Sequence, residues 1–557
     1  MKRIITYLSA MLCAVLVSCA PVCDGELPPI GVTSSGGYYA FDSSVSCVEE
    51  GAERILGMGA GVIKLWLSDQ SMRVNPYHTD WNRYRIRNCI DVLESDYYKA
   101  TLSKDFSTVV LVTHTFDLEQ EEPNVNWWDG MEREEILRVE REMYDVATYL
   151  MTAYRGSGRI FILQNWEGDN MLGSNGWRYD ASSGLYYRPG HETDAPEDDS
   201  AFRIREKGLL EWFNARQRGV DLAVADMEGR TDVIVRHVLE VNFTYVDPGD
   251  APYPYADSPI LIQRIVPYTD CDLYSYSCWS AGVLSRAWTM KERLETVGRS
   301  IGETYIDSGD GMEKPRRPLG PRQRSRLMLG EYGGPERYQA SATGGWAPVL
   351  TYETDRTQRK VIQIQTEIAL DFGVEYAIFW EIYCNVPRVD TDPPVAIDSR
   401  NGEQAVSNDQ MQGSWLVRAD GSFTRGYLYL RGLLGSHGIW RHERCRSGRT
   451  YGFDGPCGGV ELNVEVQGYP PYLEEGAVTD VLEKIVITGS ADGKCYRQLA
   501  ADCFVTLCHE GFQRLVVINR DPVPNEWRFV RVDFDSGEFR DAEIKIHKPN
   551  DRTLKKI

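Results

Sequence analysis

Short apolar runs of the length of a buried strand recur along the first three quarters of the chain, and there are eight of them: IGVTSS near residue 30, GVIKLWLSD from 61, TVVLVTHTFD from 108, RIFILQNWE from 159, HVLEVNFTY from 237, CDLYSYSCW from 271, RLMLGEYGG from 326 and EYAIFWEIYCN from 375. Between them lie stretches with helical spacing, over 45–58, 132–154, 202–227, 281–301 and 355–372, with one more over 424–434 after the last run. In 132–154 the apolar residues Ile136, Val139, Met143, Val146, Ala147 and Leu150 recur at steps of three and four, which places them on one face of a helix packed against a wall. Strands that alternate with helices build parallel sheets, and eight such units close into a (β/α)8 barrel. An α/β TIM barrel is therefore expected over residues 30–440.

Beyond residue 440 the helical spacing stops. VELNVEV, EKIVITG, CFVTLC, RLVVIN and FVRVDF alternate or cluster as strands do, which predicts a C-terminal all-β, sandwich-like domain over 441–557 that ends in the basic tail KPNDRTLKKI.

The amino terminus is of a different kind. Lys2 and Arg3 precede an apolar stretch from 4 to 17 that is too short to span a bilayer and has the charge and length of an export signal. The tetrapeptide Leu16-Val17-Ser18-Cys19 resembles a bacterial lipobox, so the expected division is a signal peptide over 1–18, a lipid-bearing Cys19, and a linker over 19–29; plain signal cleavage a few residues on is the alternative. Either way the mature chain is exported, to the cell envelope or beyond, and a membrane is met only through the lipid. No later segment reaches the roughly 20 apolar residues that a membrane helix needs. The formal charge of −21 argues against nucleic acid as a partner, since a polyanion would be repelled.

An exported chain with 13 cysteines permits disulfides, but losing Cys13 with the signal and Cys19 to lipid leaves an odd number, and pairing is not readable from spacing. The eight histidines are scattered, and no cysteine spacing resembles a zinc site. Neither a metal nor another cofactor is expected.

A barrel of this kind keeps its chemistry at the carboxyl ends of its strands. That rule selects Asp69, His114, Asp117, Asn165, Glu167, Asn242, Tyr274, Tyr276, Glu331, Trp380 and Glu381. Asp69 and Asp117 suit helix caps, and His114 suits a lining residue. Glu167 and Glu331 differ from the rest, because each ends an apolar run and the two runs, fourth and seventh, lie across the barrel from one another. Facing carboxylates are what glycosidic cleavage requires: one protonates the leaving oxygen and the other attacks the anomeric carbon or activates water. Aromatic residues crowd the same end, namely Trp127 and Trp128 after the third run, Trp177, Tyr179, Tyr186 and Tyr187 in a long loop over 171–200, and Tyr253 and Tyr255 after the fifth. Their faces suit the apolar faces of sugars.

LMLGEYGG followed by YAIFWEIYCN resembles the retaining (β/α)8 glycoside hydrolases of clan A, in which a glutamate within G-E-[FY]-G ends strand seven and a tryptophan on strand eight floors the sugar site. The resemblance implies Glu331 as nucleophile, Glu167 as acid/base, Trp380 as the platform beneath the reacting sugar, and Tyr276 as a donor to the nucleophile. It further implies a carbohydrate substrate and no cofactor; Asn165, His114, Asn242, Trp127 and Trp128 are expected among the binding residues from their places at the same end of the barrel. Two departures stand out. Trp166 intervenes between Asn165 and Glu167, where the clan has the asparagine next to the acid; strand alternation would then point Asn165 and Glu167 inward together. The clan often has an arginine on strand two, where the nearest cation here is Lys64. Glu381 is expected on the opposite face from Trp380, in a salt bridge. The alternative function is a non-catalytic carbohydrate-binding barrel on a surface lipoprotein, and an esterase or amidase is disfavoured by the absence of a G-x-S-x-G turn.

Overall fold

The computed structural model describes residues 29–548 apart from 43, 68–83, 114–126, 128–129, 173–177, 181–184, 188–196, 245–260, 303–304, 308–312, 337–349, 351, 389–392, 394, 398–402, 436–438, 468–481, 510–511 and 520–522. The signal, Cys19 and the linker up to Pro28 therefore lie outside the described residues, as does the basic tail from residue 549 onward.

Eight parallel strands close into a barrel: β1 (Ile30–Thr33), β2 (Val62–Leu67), β3 (Thr108–Thr113), β4 (Ile160–Gln164), β5 (Ile234–Val241), β6 (Leu273–Ser277), β7 (Leu327–Tyr332) and β8 (Ala377–Phe379). Seven of them fall within the apolar runs, while β5 starts at Ile234, three residues before the run expected from 237, and stops at Val241; β1 pairs with both β2 and β8 to complete the ring. The helices α1 (Cys47–Met58), α2 (Asp96–Leu102), α3 (Arg133–Ala153), α4 (Asp199–Asp226), α5 (Met290–Ile301), α6 (Tyr352–Phe372) and α7 (Arg425–Gly435) alternate with the strands. The crossover from β5 to β6 holds only the single turn Leu261–Arg264 and a short 3-10 segment among its described residues. In α3 the residues Val139, Met143, Val146, Ala147, Leu150 and Met151 are buried, and a capping box between Glu132 and Glu135 starts the helix.

Two apolar cores result from the period-two alternation of the strands. One lies between strands and helices. The other fills the barrel interior with Val62, Val110, Ile160, Ile162, Val238, Leu273, Met328, Tyr376 and Ile378. Near the amino ends of the strands the interior meets a buried ion pair, Arg236 to Glu375 at 3.1 Å. The basic stretch before β7 lies at that same end, where Arg317 bonds Asp221 and Asp272 and Arg316 bonds the Thr269 carbonyl.

After α7, the described residues form two antiparallel sheets. Ile439–Arg444, Gly459–Gln467, Ala501–His509, Phe512–Asn519 and Phe539–His547 make one, and Thr450–Gly452, Val486–Ser490, Arg497–Leu499 and Phe529–Asp533 make the other. They share a single apolar core that includes Val464, Leu515, Trp527 and Ile544, the arrangement expected of a β-sandwich. The barrel is tied to them by Arg431 of α7, 4.0 Å from buried Glu461, which also accepts from Lys545.

Candidate active site

One step of two residues beyond the apolar interior layer, the same strand faces turn polar. Val62 is followed by Lys64, Ile162 by Gln164, Val238 by Glu240, Leu273 by Ser275 and Met328 by Gly330, and all four of the polar side chains are fully buried. They make the floor of a site at the carboxyl end of the barrel.

Glu331 joins this floor through a break in strand regularity. With Met328 and Gly330 facing the interior, strict alternation would turn Glu331 toward the helices. The register shifts between Leu329 and Glu331 against β6, and between Leu329 and Tyr332 against β8, so β7 carries a bulge at this point. A bulge re-aims the side chain that follows it. Lys64 Nζ donates to Glu331 Oε1 at 2.8 Å and to the Gly330 carbonyl at 3.1 Å, and Trp279 Nε1 donates to Glu331 Oε2 at 3.0 Å. Both oxygens of Glu331 thus accept, one of them from a full ammonium. Burial opposes the charge on Lys64, but the carboxylates of Glu240 and Glu331 hold its pKa above the ordinary lysine value.

Glu167 arrives by a different route. Strand β4 ends at Gln164, and Glu167 stands at the start of the single turn Gly168–Met171. Its amide donates to Glu240 Oε1 at 3.2 Å, and Asn170 Nδ2 donates to its carboxyl. Asp169 locks that turn by accepting the amides of Asn242 and Leu261, each at 2.8 Å, and of Phe243 at 3.2 Å. Burial first, and then the carboxylates of Glu331 and Glu240, push the Glu167 pKa well above the usual carboxylate range; the Trp279 indole, which also reaches this carboxyl, pulls the other way. The two glutamates singled out in the sequence are therefore electrostatically close and unequally treated. Glu331 faces an ammonium, and Glu167 is pushed toward its proton-bearing form.

Three tryptophans cluster beside Lys64 and Glu331. Trp380 meets Trp66 and Trp279 edge to face, each at 6.1 Å between ring centroids, and Lys64 Nζ lies 5.9 Å from the Trp380 ring. Such an apolar rim raises the strength of every charge interaction within it.

Several sequence expectations are corrected here. Asn165 does not line the site: its Oδ1 accepts from the Glu240 amide at 2.8 Å and its Nδ2 donates to the Glu240 carbonyl at 3.2 Å, so the side chain clamps β4 to β5. The reason is phase, because Gln164 holds the inward position and its neighbour must face the other way. Tyr276 is fully buried with its hydroxyl 3.5 Å from Ser280 Oγ, and the donors to Glu331 are Lys64 and Trp279. Lys64 takes the place foreseen for a strand-two cation. Trp127 is 1% exposed and packs on Trp212 with centroids 5.0 Å apart, which makes it a core residue and removes it as a sugar platform. Asn242 is the first residue after β5 and bonds Asp169 and Asn170, so it buttresses the Glu167 turn. Glu381 forms no salt bridge among the described residues; Ser35 and the Asn385 amide bond it, and burial raises its pKa well above the usual range.

His114, Trp128, Asp69, Asp117, Trp177, Tyr253 and Tyr255 lie outside the described residues, as do the side chains of Tyr179, Tyr186 and Tyr187. Glu240, Trp66 and Trp279 were not foreseen. Among the described residues no cluster of His, Cys, Asp or Glu has the form of a metal site.

No family model matches the chain, and no curated protein matches it. Solved structures similar to it include an endo-1,4-beta-D-mannanase from Thermotoga petrophila RKU-1, at 13% identity over 65% of this chain and 89% of that one, with a TM-score of 0.33. A hyperthermophilic beta-glucosidase from Pyrococcus furiosus is 9% identical over 69% of this chain and 83% of that one, with a TM-score of 0.39. A glycoside hydrolase 5 lichenase from Caldicellulosiruptor sp. F32 is 9% identical over 73% of this chain and 92% of that one, with a TM-score of 0.36.

Proposed function

We propose that this chain is a glycoside hydrolase that cleaves a poly- or oligosaccharide with retention of anomeric configuration. The observation that carries the reading is the unequal pair at the carboxyl end of the barrel: Glu331 with Lys64 and Trp279 on its oxygens, and Glu167 pushed toward its protonated form by burial and by neighbouring carboxylates. Retaining hydrolysis needs that asymmetry before the sugar arrives.

In the first step Glu167 gives its proton to the glycosidic oxygen while a Glu331 oxygen attacks the anomeric carbon, forming a glycosyl ester and releasing the leaving sugar as an alcohol. In the second, Glu167, now ionised, takes a proton from water, the water oxygen attacks the same carbon, and Glu331 leaves as a carboxylate. Lys64 favours that departure, since it is bonded to the carboxylate on which charge reappears. Trp380, with Trp66 and Trp279 at its edges, supplies an apolar wall for a sugar face. The acidic surface suits a neutral or cationic glycan. Export, with Cys19 as the lipid carrier, belongs to the same reading and rests on the amino-terminal segment alone.

The test is hydrolysis of a panel of aryl glycosides and plant or microbial polysaccharides by the wild type and by Glu331→Gly, with azide supplied to the variant. The expected result is wild-type turnover, its loss in the variant, and rescue as a glycosyl azide of inverted configuration. Turnover by Glu331→Gly without azide would remove Glu331 as nucleophile, and an azide product of retained configuration would move it to the acid/base role.

A further inference from the structure

The site holds a third glutamate that the reaction above does not use. Glu240, fully buried on β5, is bonded to segments that carry or adjoin the other two. Its Oε1 accepts the Glu167 amide at 3.2 Å, and its Oε2 accepts from Gln164 Nε2 at 2.6 Å and from Ser275 Oγ at 2.8 Å. Its own amide and carbonyl are gripped by Asn165. On the side of β7 it fills the space that a side chain at residue 330 would need, because a Cβ built on Gly330 would fall 1.8 Å from Glu240 Oε2 and 2.1 Å from Ser275 Oγ. Gly330 directly precedes Glu331.

We propose that Glu240 is the positioning residue of this site: it ties the turn bearing Glu167 to the bulge bearing Glu331, and its negative charge holds the proton on Glu167. The charged and polar groups facing it are Lys64 from β2, Gln164 from β4, Glu167 from the turn after β4, Ser275 from β6 and Glu331 from β7. Only Lys64 among these favours its ionised form by charge, while Ser275 and the Glu167 amide favour it by hydrogen bonding. Burial pushes its pKa up to about 7, so its charge changes across neutral pH. Each Glu240 that ionises makes the Glu167 proton harder to remove, since two carboxylates in one low-dielectric pocket repel. Glu240 thereby carries the proton-bearing form of Glu167 to higher pH.

The role as acid/base rests on the proposed hydrolase reading, but the electrostatic link does not, and it is measurable without a substrate. Infrared pH-difference spectra of the full chain, compared with those of Glu167→Gln, identify the carboxylic C=O band of Glu167. In Glu240→Gln the midpoint of that band is expected to fall by about one pH unit or more, as removal of one charge at an effective dielectric near 20 implies. Ser275→Ala withdraws one donor from Glu240 and is expected to move the midpoint in the same direction by less; it serves alone if Glu240→Gln does not fold. Where wild-type turnover is found, the basic limb of kcat/KM should shift with the band, with kcat falling more than KM changes. A shifted band without turnover in any variant supports the link and removes the hydrolase reading. An unmoved band in both variants overturns the proposal, even if wild type is an active hydrolase.

Discussion

Replacing Lys64 by Met isolates what the buried ammonium does for Glu331. Methionine keeps most of the volume and removes the charge. Lys64 and Glu331 expose 0% and 3% of their side chains and meet at 2.8 Å, so water cannot compensate the carboxylate once the ammonium is gone. Breaking a buried pair on one side costs about 3–5 kcal/mol, and the lower end applies because Trp279 still donates to Oε2. For a barrel of roughly 400 residues, unfolding with about 2.1 cal/mol/K per residue, that loss lowers Tm by about 4 °C. The informative assay is a cycle of four proteins: wild type, Lys64→Met, Glu331→Gln and the double variant, unfolded thermally at pH 7. With both partners neutral no Glu331 charge is left unpaired, so the double variant should recover part of the loss, the remainder reflecting Glu240, which also faces Lys64. A single variant within 1 °C of wild type, or losses that simply add in the double variant, would mean that Lys64 does not compensate Glu331 and that another group sets its charge.

Gly330→Ala places a methyl group 1.8 Å from Glu240 Oε2, and overpacking of this kind costs about 1–3 kcal/mol; calorimetry should show the lower Tm, and turnover should fall with it. Trp279→Phe keeps a ring against Trp380 but removes the donor to Glu331 Oε2; a hydrogen bond to a charged group is worth about 1.5–3 kcal/mol, so kcat is expected to drop about 10- to 100-fold and Tm to fall by about 2–4 °C. Stability should also respond to pH through Glu240. Its native pKa of about 7 lies above the unfolded value of about 4.3, so the native state binds this proton more tightly, and its contribution falls as pH rises between those values and levels off above them. Between pH 5 and 8, urea unfolding of the wild type should lose about 2–3 kcal/mol relative to Glu240→Gln, and a difference that grows in the opposite direction would contradict the assignment.

The barrel was legible because its strands announce themselves by length and its helices by spacing. The sandwich was legible in part: Val464 and Val530 belong to runs that alternate cleanly and Leu515 to one that clusters, whereas Ile439–Arg444 and Phe539–His547 mix charged and apolar residues and went unread. Within the site, the two glutamates stood out because each closes an apolar run. Glu240 did not, because it sits inside HVLEV two residues past Val238 and looks like an interruption of the strand. Following the interior phase along each strand would have found it together with Lys64, Gln164 and Ser275. The same phase explains the error at Asn165, which was assigned the inward direction that Gln164 holds. Trp279 was hidden for another reason. It lies beyond the end of β6, in a 3-10 turn whose direction no strand periodicity predicts. Trp127 illustrates the limit of composition: an aromatic residue in a loop at the right end of a barrel still has its place set by tertiary packing, here by Trp212.

The bulge in β7 also says what can be exchanged between barrels. Up to Leu329 the strand is an ordinary stave, interchangeable with any apolar run of the same length. From Gly330 onward it is matched to its neighbours, because the shifted register, the missing side chain and the Glu240 carboxylate occupy one another's space. Grafting LMLGEY alone into another barrel would return Glu331 to the helix side or force Gly330 against a wall with no notch for it. The transferable part is the composite of that strand with the carboxyl halves of β4, β5 and β6, and homologous barrels are expected to gain or lose these features as a block.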